Sequence, residues 1–360
     1  MIDFSLDPEL ELLRETARRF AQQRLRPHDR DFESARDVDT ATSSAFAEIG
    51  LAAVEWPETL GGAALGALAR ALVLEELGAA DAGAAFALDP LGPAWYALAE
   101  CGEEAVLHTL AQPLVDRPGA RAVLAWNGGG HIAFGNGAAT GVIPWVPAER
   151  VDLLVLLDRD AVAVIDAGIA ATPLRGAGLR AAGASELRLD HAPVRAWWVN
   201  PRGARRALAR ARLHAASLLI GVMRAACEFS RGYALQRVAF GKPIAHHQAL
   251  AFLIADMAMA LEGSRLLVHE AAARLDRGDD AIEACATAFL EAAEQSLFVT
   301  PNAVQILGGH GFMQDYPVEK WMREARTLGL LYGGVDAARE DAGASIVVDA
   351  ESLALAGVGA

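Results

Sequence analysis

The chain has 360 residues, 53% of them hydrophobic, and its 46 acidic against 32 basic side chains give a formal charge of −14. That length exceeds one small core and suits two or three packed domains, while the apolar content excludes a disordered chain. The acidic balance repels phosphate backbones and excludes a nucleic-acid surface, for want of any local basic exception.

The amino terminus, Met1 to Asp7, lacks the basic start and apolar core of a secretory leader. Apolar runs fall short of the ~20 residues that cross a bilayer; Val151 to Ile165 comes closest and is cut by Asp152, Asp158, Arg159 and Asp160. The cysteines Cys101, Cys227 and Cys285 lie far apart and fit no disulfide framework or metal site. A cytoplasmic protein without a membrane span is expected.

In chain order, Asp7 is placed to cap a first helix with Pro8 at its first position. Leu10, Leu13, Ala17, Phe20 and Ala21 then recur at helical spacing, and Pro27 marks the expected stop. A second helix is predicted from Thr42 to Ile49 with Gly50 at its end, a third over Leu65 to Leu77, and a fourth over Glu103 to Ala111. The texture changes near Pro118. From Ala122 to Val199, Val151–Leu157, Ala161–Ile165 and Leu187–Asp190 have strand length and turn residues at their ends. Helical period returns near Ala204. It predicts a helix ending near Gly232 with Leu219, Met223, Ala226 and Ser230 on one face. A second follows from Gln248 to Leu275, with Leu250, Leu253, Ile254, Met257, Leu261, Ser264 and Leu267 inward. A third, from Ala281 to Ile306, is expected to kink at Pro301. The chain is therefore mainly α with a small β domain. The expected division is an amino-terminal helical domain over 1–117, a middle β domain over 118–203, and a carboxy-terminal helical bundle over 204–360.

Most signatures of cofactor chemistry are absent. Gly135-Asn136-Gly137 lacks the third glycine of a dinucleotide fingerprint and reads as a turn. The adjacent His246 and His247 point apart, and no metal is expected there. Two segments say more. Arg237-Val-Ala-Phe240-Gly241-Lys242-Pro243-Ile244 with Gln248 joins two long helices. Ala303-Val-Gln305-Ile-Leu-Gly308-Gly309-His310-Gly311-Phe312 leads into Tyr316-Pro317-Val318-Glu319-Lys320 with Arg323 and Arg326. Taken plainly they are helix connections. Three glycines within four residues also let a ligand approach bare backbone, and an arginine with a glutamine can hold a pyrophosphate.

Together the two strings resemble the acyl-CoA dehydrogenase family, in order and in separation. Asp3-Phe4-Ser5-Leu6, Pro57-Glu58-x-x-Gly61-Gly62 and Glu75-Glu76-Leu77 are similar too. The resemblance implies that family's fold, with a barrel-like middle domain and a four-helix carboxy-terminal bundle. It also implies FAD and α,β-desaturation of an acyl-CoA thioester, with electron-transfer flavoprotein or a similar protein as acceptor. In the family a glutamate removes the α-proton while the β-hydride passes to the flavin.

Here the resemblance breaks in a pattern. Counting from Gln305 without a gap puts Tyr332 in the glutamate's slot, within Leu330-Leu331-Tyr332-Gly333-Gly334; a one-residue gap puts Gly333 there. The other slot known in the family, just before the arginine matched by Arg212, holds Ala211. A phenol with a reference pKa of about 10 is a poor base. No catalytic residue is therefore assigned. The family's flavin-ring strings correspond to Leu124-Ala125-Trp126-Asn127 and Ile143-Pro144-Trp145-Val146, without their hydroxyls, in a shortened domain. The threonine after Glu-Gly is Gly334.

Arg237, Phe240, Gln248, Gln305, Gly308 and Gly309 remain, and in family dimers these positions touch FAD held by the neighbouring subunit. The resemblance is thus to the degenerate, non-catalytic subunit of bacterial heterotetrameric acyl-CoA dehydrogenases, some of which act on steroid side chains. It implies FAD shared with a homologous catalytic chain in an α2β2 assembly, with acyl-CoA bound mainly by the partner. A self-sufficient flavoenzyme with a displaced base, and a flavin-free scaffold that kept the fold, stay open.

Overall fold

In the computed structural model, which describes residues 6–117 and 119–352, helix α1 (Pro8–Phe20) starts as its signals require. The Asp7 carboxylate accepts from the Leu10 N–H at 2.8 Å and Pro8 holds the first turn. Asp3, Phe4 and Ser5 of the amino-terminal string, and Pro118, lie outside the described residues. The chain does not leave helical conformation at Pro27. A π-turn (Ala21–Leu25) and a 3-10 turn (Arg26–His28) carry it into α2 (Asp29–Ala35). Proline falls in the opening residues of the 3-10 turn, where a missing N–H costs nothing.

Helix α3 (Thr40–Ile49) is capped by Asp39 and ends on Gly50 at φ 72°. Helix α4 (Ala67–Leu88) runs well past Leu77 and is buried along nearly its whole length. It breaks at Asp81 (φ −159°, ψ 105°), whose carboxylate caps the second half by accepting from Ala84 N–H at 2.9 Å. Helices α5 (Ala94–Cys101) and α6 (Glu104–Val115) complete the block. Sequence periodicity missed α5 because its first five residues, Ala94 to Leu98, are all buried and leave no polar face to mark a period.

Among the described residues the middle domain holds eight strands: β1 (Ala122–Trp126), β2 (Ile132–Gly135), β3 (Ala138–Val146), β4 (Leu153–Leu157), β5 (Ala161–Ile165), β6 (Ile169–Pro173), β7 (Ser185–Pro193) and β8 (Ala196–Val199). They form two four-stranded sheets, ordered β1-β4-β5-β8 and β2-β3-β7-β6, with only β1–β4 parallel. Along β4, Leu154 and Leu156 join Ile132, Ile143, Leu187 and Leu189 in a core of the β domain, while Leu153, Val155 and Leu157 face the helical core. Both faces of β4 and β5 are therefore dry, which is why they read as unbroken apolar runs. Asn136 (φ 53°) and Gly137 (φ 74°) make the two-residue turn between β2 and β3.

Helix α7 (Pro201–Gln236) passes Gly232 and leads to a short hairpin, β9 (Val238–Ala239) and β10 (Lys242–Pro243). Helices α8 (Gln248–Asp276), α9 (Ile282–Leu307), α10 (Val318–Leu328) and α11 (Gly334–Ser352) follow. Helix α9 is central and packs on α7, α8, α10 and α11. Pro301 lies inside α9 without ending it. On α8, Met257, Leu261 and Ser264 are buried as expected, and Leu250, Leu253, Ile254 and Leu267 are partly covered. No helix among the described residues is long and apolar enough to cross a membrane.

Candidate active-site cleft and the exposed strings

The loop after α10 holds the slot in which a carboxylate is expected, and its backbone is unusual. Tyr332, Gly333 and Gly334 all have positive φ, at 53°, 89° and 62°. A tyrosine in the left-handed region is strained, and the Arg212 guanidinium helps to hold it by donating to the Tyr332 carbonyl at 3.3 Å. Arg212 is in turn paired with Asp341 of α11. The Tyr332 side chain is buried, and burial pushes its phenol above the ordinary tyrosine range. It is no general base near neutral pH. Ala211, one residue before Arg212, is fully buried and offers a methyl group. Neither slot carries a carboxylate.

Helix α10, which leads into the loop, carries a buried charged cluster that the sequence reading did not anticipate. Lys320 of α10 lies 3.2 Å from Asp81 at the break in α4 and 2.6 Å from Glu324 one turn further on. Burial pushes Glu324 up to about 7, against the pull of Lys320. One ammonium therefore serves two dry carboxyls.

In front of the loop a cleft of about 360 Å³ separates it from the β domain, lined by Trp126, Asn127, Pro144, Trp145, Tyr332 and Gly333 among others. It contains both strings matched to flavin-ring contacts. Among its described lining residues there is no Ser or Thr, and Tyr332 brings the only hydroxyl. Asn127, at the end of β1, is consumed locally: its Oδ1 accepts from Ile132 N–H at 2.9 Å, and its Nδ2 reaches Ile132 O and Asp158. The Trp126 indole N–H has no hydrogen-bond partner. Deeper in, between α4, α5 and α7, the interior is filled. Tyr96 Oη lies 3.1 Å from Nδ1 of His214, Phe86 packs on the same ring, and a space of about 10 Å³ remains beside them.

The retained strings sit elsewhere. Arg237, Phe240, Gln248, Gln305, Gly308 and Gly309 are all exposed. Phe240 is 95% exposed and has φ 52°, so an aromatic side chain is held out in water on a strained hairpin turn. The structure brings the two strings to one end of the bundle through Tyr233, just before Arg237, whose Oη lies 2.8 Å from Nδ1 of His310. His310 stacks on Tyr316. A side-chain carbon added at Gly308 or Gly309 would meet nothing of this chain within 4 Å. Gly308 is demanded by its own φ of 59°, but Gly309 has no such requirement inside the subunit. His247, of the adjacent pair, contacts the Ala239 carbonyl at 3.2 Å.

Known proteins align along nearly the whole chain. The model for the acyl-CoA dehydrogenase amino-terminal domain matches residues 7–117, and that for the carboxy-terminal domain matches 202–346. The probable acyl-CoA dehydrogenase YngJ of Bacillus subtilis is 28% identical over 91% of this chain and 95% of its own length. The butyryl-CoA dehydrogenase structure from Megasphaera elsdenii superposes with a TM-score of 0.84 at 22% identity, covering 96% of this chain and all of that one, a likeness of fold. The Tcur3481-Tcur3483 steroid ACAD G363A variant gives 0.84 at 25% identity, over 96% of this chain and 100% of the other.

Proposed function

The chain belongs to the acyl-CoA dehydrogenase family, and from that premise we propose that it is the non-catalytic subunit of a heteromeric, FAD-dependent acyl-CoA dehydrogenase. In this reading it completes the flavin site of a homologous chain that carries the glutamate. The observation that carries it is the contrast between two regions. The cleft has no carboxylate in either slot and no ring-holding hydroxyl, whereas Arg237, Phe240, Gln248, Gln305, Gly308 and Gly309 are all exposed. Gly309 is bare backbone with nothing in its own subunit to explain it, as expected of a surface built for close approach by something outside the chain.

Arg237, Phe240, Gln248, Gln305, Gly308 and Gly309 are the residues that would hold the partner's FAD. Bound there, the flavin supplies the hydride acceptor. This chain's part is to bind and to cover. Arg237 gives a charge-assisted contact to pyrophosphate, the glutamines give amide hydrogen bonds, and Phe240 screens the site from water. Acyl-CoA binds mainly to the partner, in an α2β2 assembly that passes electrons to an electron-transfer flavoprotein or a similar acceptor. The likeness to the Tcur3481-Tcur3483 steroid ACAD supports a bulky, sterol-derived acyl group.

Co-expression with a glutamate-bearing homologue tests the proposal. A yellow α2β2 complex that oxidises acyl-CoA, with little flavin on this chain alone, is the expected result. A yellow homotetramer with one FAD per chain overturns it.

A further inference from the structure

We infer that the cavity between the π-turn, α4, α7 and α10 binds a small amphipathic carboxylate, with Arg26 holding the head and Phe229 and Trp321 packing on the tail. It shares no lining residue with the cleft beside Tyr332 and stands independently of the subunit reading.

The cavity measures about 340 Å³, the size of a site for a small organic molecule. Its room comes directly from the sequence. Ala21 of the π-turn, Ala79 and Ala80 of α4 and Ala225 of α7 line it, and each offers only a methyl group. Phe229 and Trp321 complete the apolar wall, their rings packed edge to face at 5.9 Å. Trp321 is 1% exposed, so this wall is anchored in the core.

The π-turn brings the charge. Arg26 N–H donates to the Ala21 carbonyl, the long bond that defines a π-helix. In an α-helix Leu25 would lie below Ala21. The extra residue puts Arg26 there instead, and Leu25 is turned wholly into the core. One face of the Arg26 guanidinium lies 4.6 Å over the Trp321 ring. Its edge is nearly idle. Among the described residues its one side-chain hydrogen bond is a 3.5 Å contact of Nη1 with Asp29. Burial lowers its pKa from the ordinary arginine value, as it does for a desolvated cation in want of a close anion.

The other charges on the wall are already met. Glu76 pairs with Arg224 at 2.6 Å and with Arg18 at 3.1 Å. Glu228 is exposed, where solvent meets its charge, so a ligand cation would gain little there. Arg26 has the most to gain, and a carboxylate matches its planar fork. The methyl groups and rings around it then call for an apolar tail.

Isothermal titration of the full-length chain with hexanoate tests the site, in its co-purified complex or alone if no partner accompanies it. Saturable binding is expected, with affinity rising about fourfold per methylene from butyrate to hexanoate. Arg26→Gln should weaken hexanoate at least about tenfold and leave hexanol unchanged. Ala225→Leu fills the space with a good helix former and should weaken both. A fatty acid lodged in a partner's acyl site would respond to neither substitution. The inference is overturned if the wild type shows no saturable binding, or if either substitution leaves hexanoate affinity unmoved. An equal loss of hexanoate and hexanol in Arg26→Gln would make the cation structural, and tighter binding of hexylamine than of hexanoate would move the head to Glu228; each overturns it too. Should a variant not fold, the wild type still decides: hexanoate must bind at least about tenfold tighter than both hexylamine and hexanol.

Discussion

Replacing Lys320 by Met should weaken the fold in a pH-dependent manner. The ammonium, with 1% of its side chain exposed, lies between Asp81 (0%) at 3.2 Å and Glu324 (1%) at 2.6 Å. Methionine keeps the stem and removes the charge, so the two carboxyls lose the one cation in direct contact with both and keep only Arg26 and other charges further off. Removing one partner of a buried ion pair costs about 3–5 kcal/mol, and that full range applies because none of the three groups reaches water. The cost depends on Glu324 staying ionised. Glu324 is already pushed up to about 7 beside Lys320, and without the ammonium it protonates more readily still, leaving a neutral acid beside Asp81. Guanidinium unfolding of both proteins at about pH 8.5 and about pH 5.5 should therefore give a difference that is large at the higher pH and smaller at the lower. A pH-independent difference would show that only packing was lost, and one below about 1 kcal/mol at the higher pH would show that the triad is not dry.

Three further outcomes follow from the same geometry. Glu324→Gln should remove part of the pH dependence of stability. The folded-state pKa of about 7 lies above the ordinary 4.5, so between those values the folded chain holds the extra proton, and stability falls as pH rises through the window. His214, held well below its ordinary value by burial, gives the opposite slope in both proteins and cancels in the comparison. Arg237→Ala should lower FAD retention by the complex, through loss of a charge-assisted bond that contributes about 1.5–3 kcal/mol; unchanged flavin affinity in a dialysis assay would reduce the string to a helix connection. Tyr332→Glu should not restore α-proton abstraction in this chain's half-site, because a carboxylate acts only on a thioester and flavin held in register. Stopped-flow reduction of a second equivalent of flavin by acyl-CoA would contradict that expectation and the degenerate-subunit reading with it.

Much of the fold was determined by local sequence. Asp7, Asp39 and Gly50 bound their helices because capping is decided within a few residues. Ala161–Ile165 is a strand at its expected limits because a short β-branched run has few alternatives. The emptiness of both base slots was equally visible, being a matter of which residue stands at Tyr332 and Ala211. Other features waited on the tertiary structure. Helix α4 continues to Leu88 because buried surroundings on all sides override a weak periodic signal, and Pro27 is absorbed by a 3-10 turn. The strands β2, β3 and β6 are partly exposed and joined by small residues, so composition alone hid them. Which side chains line the cleft could not be read from the chain at all. Trp126 looks like any strand tryptophan until packing sets it against Gly333, and Lys320 looks like a surface lysine until Asp81 arrives from a distant helix. Local sequence fixes which groups exist and how the nearby backbone turns; which of them meet, and whether water remains between them, is decided only when elements far apart in the chain pack together.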